Sequence, residues 1–229
     1  MKNILILSLG LGVVCTVAAA VLGVAEMKTK DIRAEAKKES DLQALKSVLP
    51  EFDNNPLEDR VPNKPEGDDV ILMRATRDGE TVAYAIQASA PGYGGKVEVL
   101  VGLNPDGAIR HVVVLPGHQE TPGLGTKATD RRTPKTIVDV LGKSGETEEK
   151  EQKKNVLAPN EYLDKYNQYN LLKKTDFKVS KDAGKSEAVS RATVDAVSGA
   201  TITSRAVAAA VSKAAAAFPE LRKKLESEK

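Results

Sequence analysis

The sequence contains no tryptophan, one cysteine and two histidines, and aromatic residues make up only 3% of its 229 positions. A lone cysteine excludes an intramolecular disulfide, a CxxC redox pair, a cysteine-ligated iron–sulfur cluster and a CxxCH haem site. Cys15 lies inside an apolar N-terminal run and follows Val13 and Val14, not the small residues of a lipoprotein junction. It reads as an apolar membrane-helix residue. His111 and His118 do not form a metal set by themselves, and no metal ligand or catalytic residue is assigned. Net charge is scarce as well, because 34 basic and 32 acidic residues leave +2. With no clustered basic surface and no aromatic-interleaved basic stripe, nucleic acid is excluded as the main partner. Redox chemistry in such a chain must come from an organic cofactor.

What is present begins with Ile4 to Ala25, a run without a single charge. At about 1.5 Å per residue it is long enough to cross a hydrocarbon core of roughly 30 Å. Ala18-Ala19-Ala20 imitates a signal-peptidase site, but the apolar run continues past it, which favours a retained anchor over residues 1–27. Lys2 precedes the run and Lys28, Lys30, Arg33, Lys37 and Lys38 follow it, so charge alone does not settle its orientation. Thr29 to Leu49 is rich in Ala, Lys, Glu and Leu and reads as an exposed helix ended by Pro50. Pro50, Pro56, Pro62 and Pro65 then mark a linker, giving a helical stalk and linker over 28–68.

Residues 69–218 are expected to form the globular domain. Val70–Thr76 and Thr81–Ala88 flank Asp78-Gly79, and Lys96–Leu103 and Ala108–Leu115 flank Asn104-Pro105-Asp106-Gly107. Both turns are hairpin signals, so four antiparallel strands are predicted. A short helix over Pro134–Leu141, an exposed charged insertion over 142–155 and helix within 156–172 follow. Short strands are expected at Phe177–Ser180 and Ala188–Val194. Ala206–Phe218 reads as a helix packed on the sheet, and Pro219 then allows a separate polar terminal helix in the C-terminal tail over 219–229. The fold class is α+β: an antiparallel sheet with packed helices behind one N-terminal transmembrane helix.

Two stretches are unusual for purely structural segments. Asp195-Ala-Val-Ser198-Gly199-Ala200-Thr201-Ile-Thr203-Ser204 leads into the alanine-rich helix. Helix N-termini offer unpaired N–H groups and a favourable dipole to anions, phosphate above all. A threonine held there is a candidate for phosphorylation or esterification. The alternative reading is a plain helix start, with Ser198 as N-cap and Thr201 and Thr203 in the first turn. The second stretch, His118-Gln119-Glu120-Thr121-Pro122-Gly123-Leu124-Gly125, combines a tight backbone path with one projecting apolar side chain. Such a loop suits a flat ring, or is an ordinary Gly/Pro loop. Tyr93 in Gly92-Tyr93-Gly94-Gly95 either stacks on a ring or plugs a gap between strands.

Taken in order, Gly92-Tyr93-Gly94-Gly95, Asp106-Gly107, the His118–Gly125 segment and Asp195-x-x-Ser198-Gly199-Ala200-Thr201 resemble the FMN-binding domain family. With its single anchor the chain resembles the G subunits of Rnf-type electron transport complexes. The C subunits of the sodium-pumping NADH:quinone reductase are close relatives. The resemblance implies FMN joined to Thr201 by a phosphoester, making the chain a covalent flavoprotein and a phosphoprotein. It places Ser198, Gly199, Ala200 and Asp195 around the attachment point, and Tyr93, Gly94, Glu120, Thr121, Leu124 and Gly125 around the ring. It also implies a flavin transferase during maturation and membrane and iron–sulfur subunits as partners. The expected location is the bacterial cytoplasmic membrane, with the soluble domain on the extracytoplasmic side. An anchored domain that holds FMN non-covalently is the rival reading.

Overall fold

A computed structural model describes residues 2–63, 70–131, 157–182 and 191–227. The predicted helix at Pro134–Leu141 and the insertion at 142–155 lie outside these residues. The chain divides into two compact units, Met1–Asp41 and Leu42–Lys229.

The first unit is helical over its described residues, which belong to helix α1 (Lys2–Val48). Its side chains from Ser8 to Lys28 are exposed, and the helix is long and apolar enough to cross a membrane. An apolar surface of this kind is stable in hydrocarbon and unfavourable in water.

The second unit is built on a five-stranded antiparallel meander in the order β1 (Arg60–Pro62), β2 (Val70–Arg77), β3 (Glu80–Pro91), β4 (Lys96–Leu103) and β5 (Ile109–Val114). β2 and β3 join through Asp78 and Gly79, both at positive φ (53° and 78°). That pair of conformations matches the strand twist in a two-residue hairpin. The four strands from the hairpin patterns are all present. β1 is additional, and lies in the proline-rich stretch read from the sequence as linker. Pro62 is tolerated because, among the described residues, β1 is an edge strand with no further partner for its missing N–H.

Both faces of the sheet are covered, which is why its strands read as apolar runs instead of a clean alternation. One face buries Leu72, Tyr84, Ile86, Val97, Val99, Val101 and Leu103 against the long C-terminal helix. The other buries Ile71, Met73, Ala85 and Leu100 with Leu45, Val48 and Leu49. The end of the helix read as exposed stalk therefore turns inward, because Leu42, Leu45, Val48 and Leu49 recur at helical spacing on one side.

Past β5 come a short helix α2 (Thr126–Thr129), a helix α3 (Glu161–Asp164) continued by a 3-10 turn over Lys165–Gln168, and β6 (Asp176–Val179). β6 pairs in parallel with β7 (Arg191–Val194), so the two predicted short strands form their own small sheet. The final helix α4 runs from Thr201 to Ser227. It does not stop at Phe218, as the sequence suggested, but continues through Pro219. Phe218, Leu221 and Leu225 are buried on one face. The Arg74 guanidinium donates to the Leu225 carbonyl at 3.1 Å, and the Tyr84 hydroxyl donates to Glu226 at 3.0 Å. Tertiary contacts thus hold the last turns and offset the hydrogen bond that Pro219 cannot make.

Buried tyrosines also tie α3 to the start of α4. The Tyr166 hydroxyl donates to that of Tyr162 at 2.8 Å, and the Tyr162 hydroxyl donates to the Ser204 carbonyl at 2.7 Å. Burial pushes Tyr162 up to about 12 and raises Tyr166 well above the ordinary value of 10.0. Such groups stabilise the fold fully below pH 10, where both states are neutral. That contribution is lost as pH rises from 10 through about 12, because only the unfolded chain ionises readily. Urea midpoints of the wild-type domain are therefore expected to fall steeply over this window. Tyr162→Phe is expected to flatten the decline, and an equally steep decline in that variant would refute the assignment.

Candidate functional site

The loop after β5 is shaped by its own sequence. Leu124 N–H donates to the Thr121 carbonyl at 3.2 Å around Pro122 and Gly123, and Gly123 has φ +78°. Pro followed by Gly at positive φ is the pattern of a type II turn. Gly123 N–H donates to Thr126 Oγ1 at 2.8 Å, which ties the turn to α2. The result is an exposed Leu124 held on a fixed backbone.

Facing this turn is the start of α4. Its hydrogen-bond ladder opens with Ser204 N–H to the Ala200 carbonyl at 2.9 Å. The N–H groups of Thr201, Ile202 and Thr203 precede the first intrahelical donor, so they and the dipole of a 27-residue helix face outward at this point. A pocket of about 540 Å³ lies there, lined by Tyr93, Glu120, Thr121, Leu124, Gly125, Gly199, Ala200, Thr201, Ile202 and Thr203. Roughly 300–1,000 Å³ is the usual size for a small-molecule site.

The walls have two characters. Tyr93, Leu124 and Ile202 are 70%, 48% and 49% exposed, and Leu172 is the only other large apolar side chain left exposed among the described residues of this unit. Their convergence on one cavity makes an apolar lining that none of the described residues covers. The opposite end is polar and offers N–H groups and the half-buried Thr201. An anionic end on a flat, apolar body is the ligand shape that such a pocket accommodates, and FMN, with its phosphate and fused rings, has that shape.

The structure brings together Tyr93, Glu120, Thr121, Leu124, Gly125, Gly199, Ala200 and Thr201 of the residues singled out from sequence. Gly94 adjoins them through its backbone, its N–H donating to Glu120 at 3.3 Å. Asp195 and Ser198 go elsewhere. They line a second pocket of about 450 Å³ with Lys127, Tyr162 and Lys165. Asp195 accepts from Ser180 Oγ at 2.7 Å and lies 3.7 Å from Lys165 Nζ. Ser198 does not cap the helix, and the turn preceding α4 is closed instead by Ala200 N–H to the Val197 carbonyl. Sequence reasoning left out two wall residues, Ile202 and Thr203. Ile202 carried a readable signal, since an isoleucine off the core-facing stripe of a helix has no structural reason to be apolar.

Glu120 is the most constrained polar group in the site. It is 6% exposed, and its Oε1 accepts from Tyr93 N–H at 3.0 Å. Its Oε2 accepts from the Thr203 hydroxyl at 2.6 Å. Among the described residues, no group of histidine, cysteine and carboxylate side chains is arranged to hold a metal ion.

A pocket with these features defines a flavin-holding domain. Residues 92–216 match the FMN-binding domain family, and the chain belongs to it. It is similar to the G subunit of the ion-translocating oxidoreductase complex of Stutzerimonas stutzeri, 36% identical over 125 residues, covering 52% of this chain and 54% of that protein. The corresponding G subunit from Haemophilus influenzae Rd is 32% identical over 192 residues, covering 80% of this chain and 77% of that protein. The chain thus spans little more than half the length of the first relative and about three quarters of the second. Among solved structures it is similar to the C subunit of the Na(+)-translocating NADH-quinone reductase from Parabacteroides distasonis. That pair has 19% identity and a TM-score of 0.44, over 76% of this chain and 78% of that one.

Proposed function

We propose that this chain is a membrane-anchored, electron-carrying subunit of an Rnf-type ion-translocating oxidoreductase, with FMN joined by a phosphoester to Thr201. One observation carries the reading: Thr201 lies where the exposed apolar walls of the pocket meet the N–H groups opening α4. A phosphodiester on its oxygen keeps one negative charge, which the helix N-terminus stabilises. Tyr93, Leu124 and Ile202, with Thr121 and Gly125, would hold the ring system in this pocket.

Attachment requires a partner enzyme. A flavin transferase moves the FMN portion of FAD to the Thr201 hydroxyl, and AMP leaves. Asp195 and Ser198, in the second pocket, are available to that enzyme and not to the ring. Bound FMN supplies electron transfer, and this chain's part is to hold, orient and partly desolvate it. The apolar segment of α1 anchors residues 1–27, with the flavin domain on the extracytoplasmic side. Covalent attachment matters there, because lost FMN could not easily be replaced. Membrane and iron–sulfur subunits donate and accept the electron. The similarity to the G subunits of ion-translocating oxidoreductase complexes favours this over a role as the C subunit of the sodium-pumping reductase.

The test is expression of the full chain with a flavin transferase, followed by denaturation, in-gel fluorescence and intact mass. A gain of one FMN that survives denaturation supports the reading. Flavin that washes out leaves a non-covalent module, and no flavin under any condition overturns the function.

A further inference from the structure

Three walls of the flavin pocket belong to segments far apart in sequence, and all three meet at one carboxylate. Glu120 Oε1 takes the N–H groups of Tyr93 and Gly94, at 3.0 and 3.3 Å, from the β3–β4 loop. Its Oε2 takes the hydroxyl of Thr203, at 2.6 Å, from the first turn of α4. The residue itself belongs to the loop that carries Leu124. The surroundings are cut to fit this side chain. A Cβ on Gly92 would stand 2.5 Å from Oε1, and one on Gly125 would stand 2.7 Å from Oε2. Glu120 thus fills space that a side chain at either glycine would need, together with Val97, whose Cγ2 would also stand 2.5 Å from a Cβ on Gly92. Three neutral donors satisfy its carboxylate, as burial demands.

We propose that Glu120 is a positioning residue: its carboxylate clasps the Tyr93 loop to the Thr201 turn, and so sets the width of the flavin pocket. Its oxygens are turned toward protein donors, not toward the ligand. Thr203 serves the same clasp, which explains why a hydroxyl lies buried two residues beyond the attachment point. The clasp stands on the geometry alone, and its effect on the flavin rests on the function proposed above.

Clasping depends on acceptor geometry more than on charge. A glutamine keeps one oxygen for the two loop N–H groups, and its amide can donate to Thr203. Glu120→Gln is therefore expected to rescue what Glu120→Ala loses, with Thr203→Val in between. The experiment compares these variants of the full chain in detergent by two readouts. The first is amide hydrogen exchange at Tyr93 and Gly94 in flavin-free protein. Protection is expected in the wild type and Glu120→Gln, weaker in Thr203→Val and lost in Glu120→Ala. The second is fluorescence anisotropy of flavin attached by the transferase. The ring is expected to loosen in the same order, read on the fraction that carries covalent flavin. The proposal is overturned if Glu120→Gln is as loose as Glu120→Ala, since charge would then be the essential property. It is also overturned if Thr203→Val matches the wild type in both readouts. Absence of covalent flavin on the wild type counts against the proposed function only, because the exchange readout needs no flavin.

Discussion

Thr201→Ala is expected to remove all covalently held flavin, while Thr201→Ser keeps it. Alanine at the first position of α4 costs the helix nothing, since it is the strongest helix former. Loss of flavin in this variant therefore reports on the hydroxyl and not on folding. Serine offers the same oxygen at the same place without the methyl group. The hydroxyl two positions on, that of Thr203, is 2% exposed and already donates to Glu120, so it is not expected to take over. Intact mass after denaturation decides the matter, with apo-protein thermal unfolding as the folding control. Flavin retained on Thr201→Ala, at any residue, would rule out Thr201 as the attachment point.

Gly94→Ala is expected to have the largest effect of any single methyl added to the site. Its Cβ would overlap the backbone carbonyl of Gln119, which cannot rotate away as a flexible side-chain tip could. Relief requires the Tyr93 loop to move off the Glu120 segment, which breaks the N–H bonds of Tyr93 and Gly94 to a buried carboxylate. Hydrogen bonds to a charged group contribute about 1.5–3 kcal/mol, and overpacking adds about 1–3 kcal/mol. A loss of about 2.5 kcal/mol or more in the domain's unfolding free energy is expected, measured by urea denaturation of flavin-free protein. Flavin attached to this variant is expected to tumble more freely than in the wild type. A variant with wild-type stability and wild-type anisotropy would show that the close approach is not essential.

Much of this architecture is local enough to read from residue order. The Asp78-Gly79 turn needs only its own two residues, so the first hairpin and its register follow from the pattern. The long apolar helix and the alanine-rich helix are equally direct, because length without charge and helical spacing are properties of a single segment. β1 was hidden because its three residues carry a proline and no alternation, and only the exposed edge of β2 makes them a strand. The continuation of α4 past Pro219 was hidden for a similar reason. A proline predicts a break, and only the burial of Leu221 and Leu225 and the contacts from Arg74 and Tyr84 outweigh it.

The site divides along the same line. The sequence by itself determined an apolar segment long enough to cross a membrane, an antiparallel sheet with a packed helix, and the glycine-rich segments and threonine that carry the family resemblance. Each of these is written in the spacing or chemistry of a few adjacent residues. Only the tertiary structure decided which of those residues share a cavity. It separated Asp195 and Ser198 from the pocket, brought in Ile202 and Thr203, and placed Glu120 where three segments converge. The physical reason is that a pocket is made by segments meeting across the fold. Thr203 lies 83 positions from Glu120 along the chain and 2.6 Å from it in space. No period or motif within either segment encodes that meeting, which packing of α4 on the sheet alone brings about.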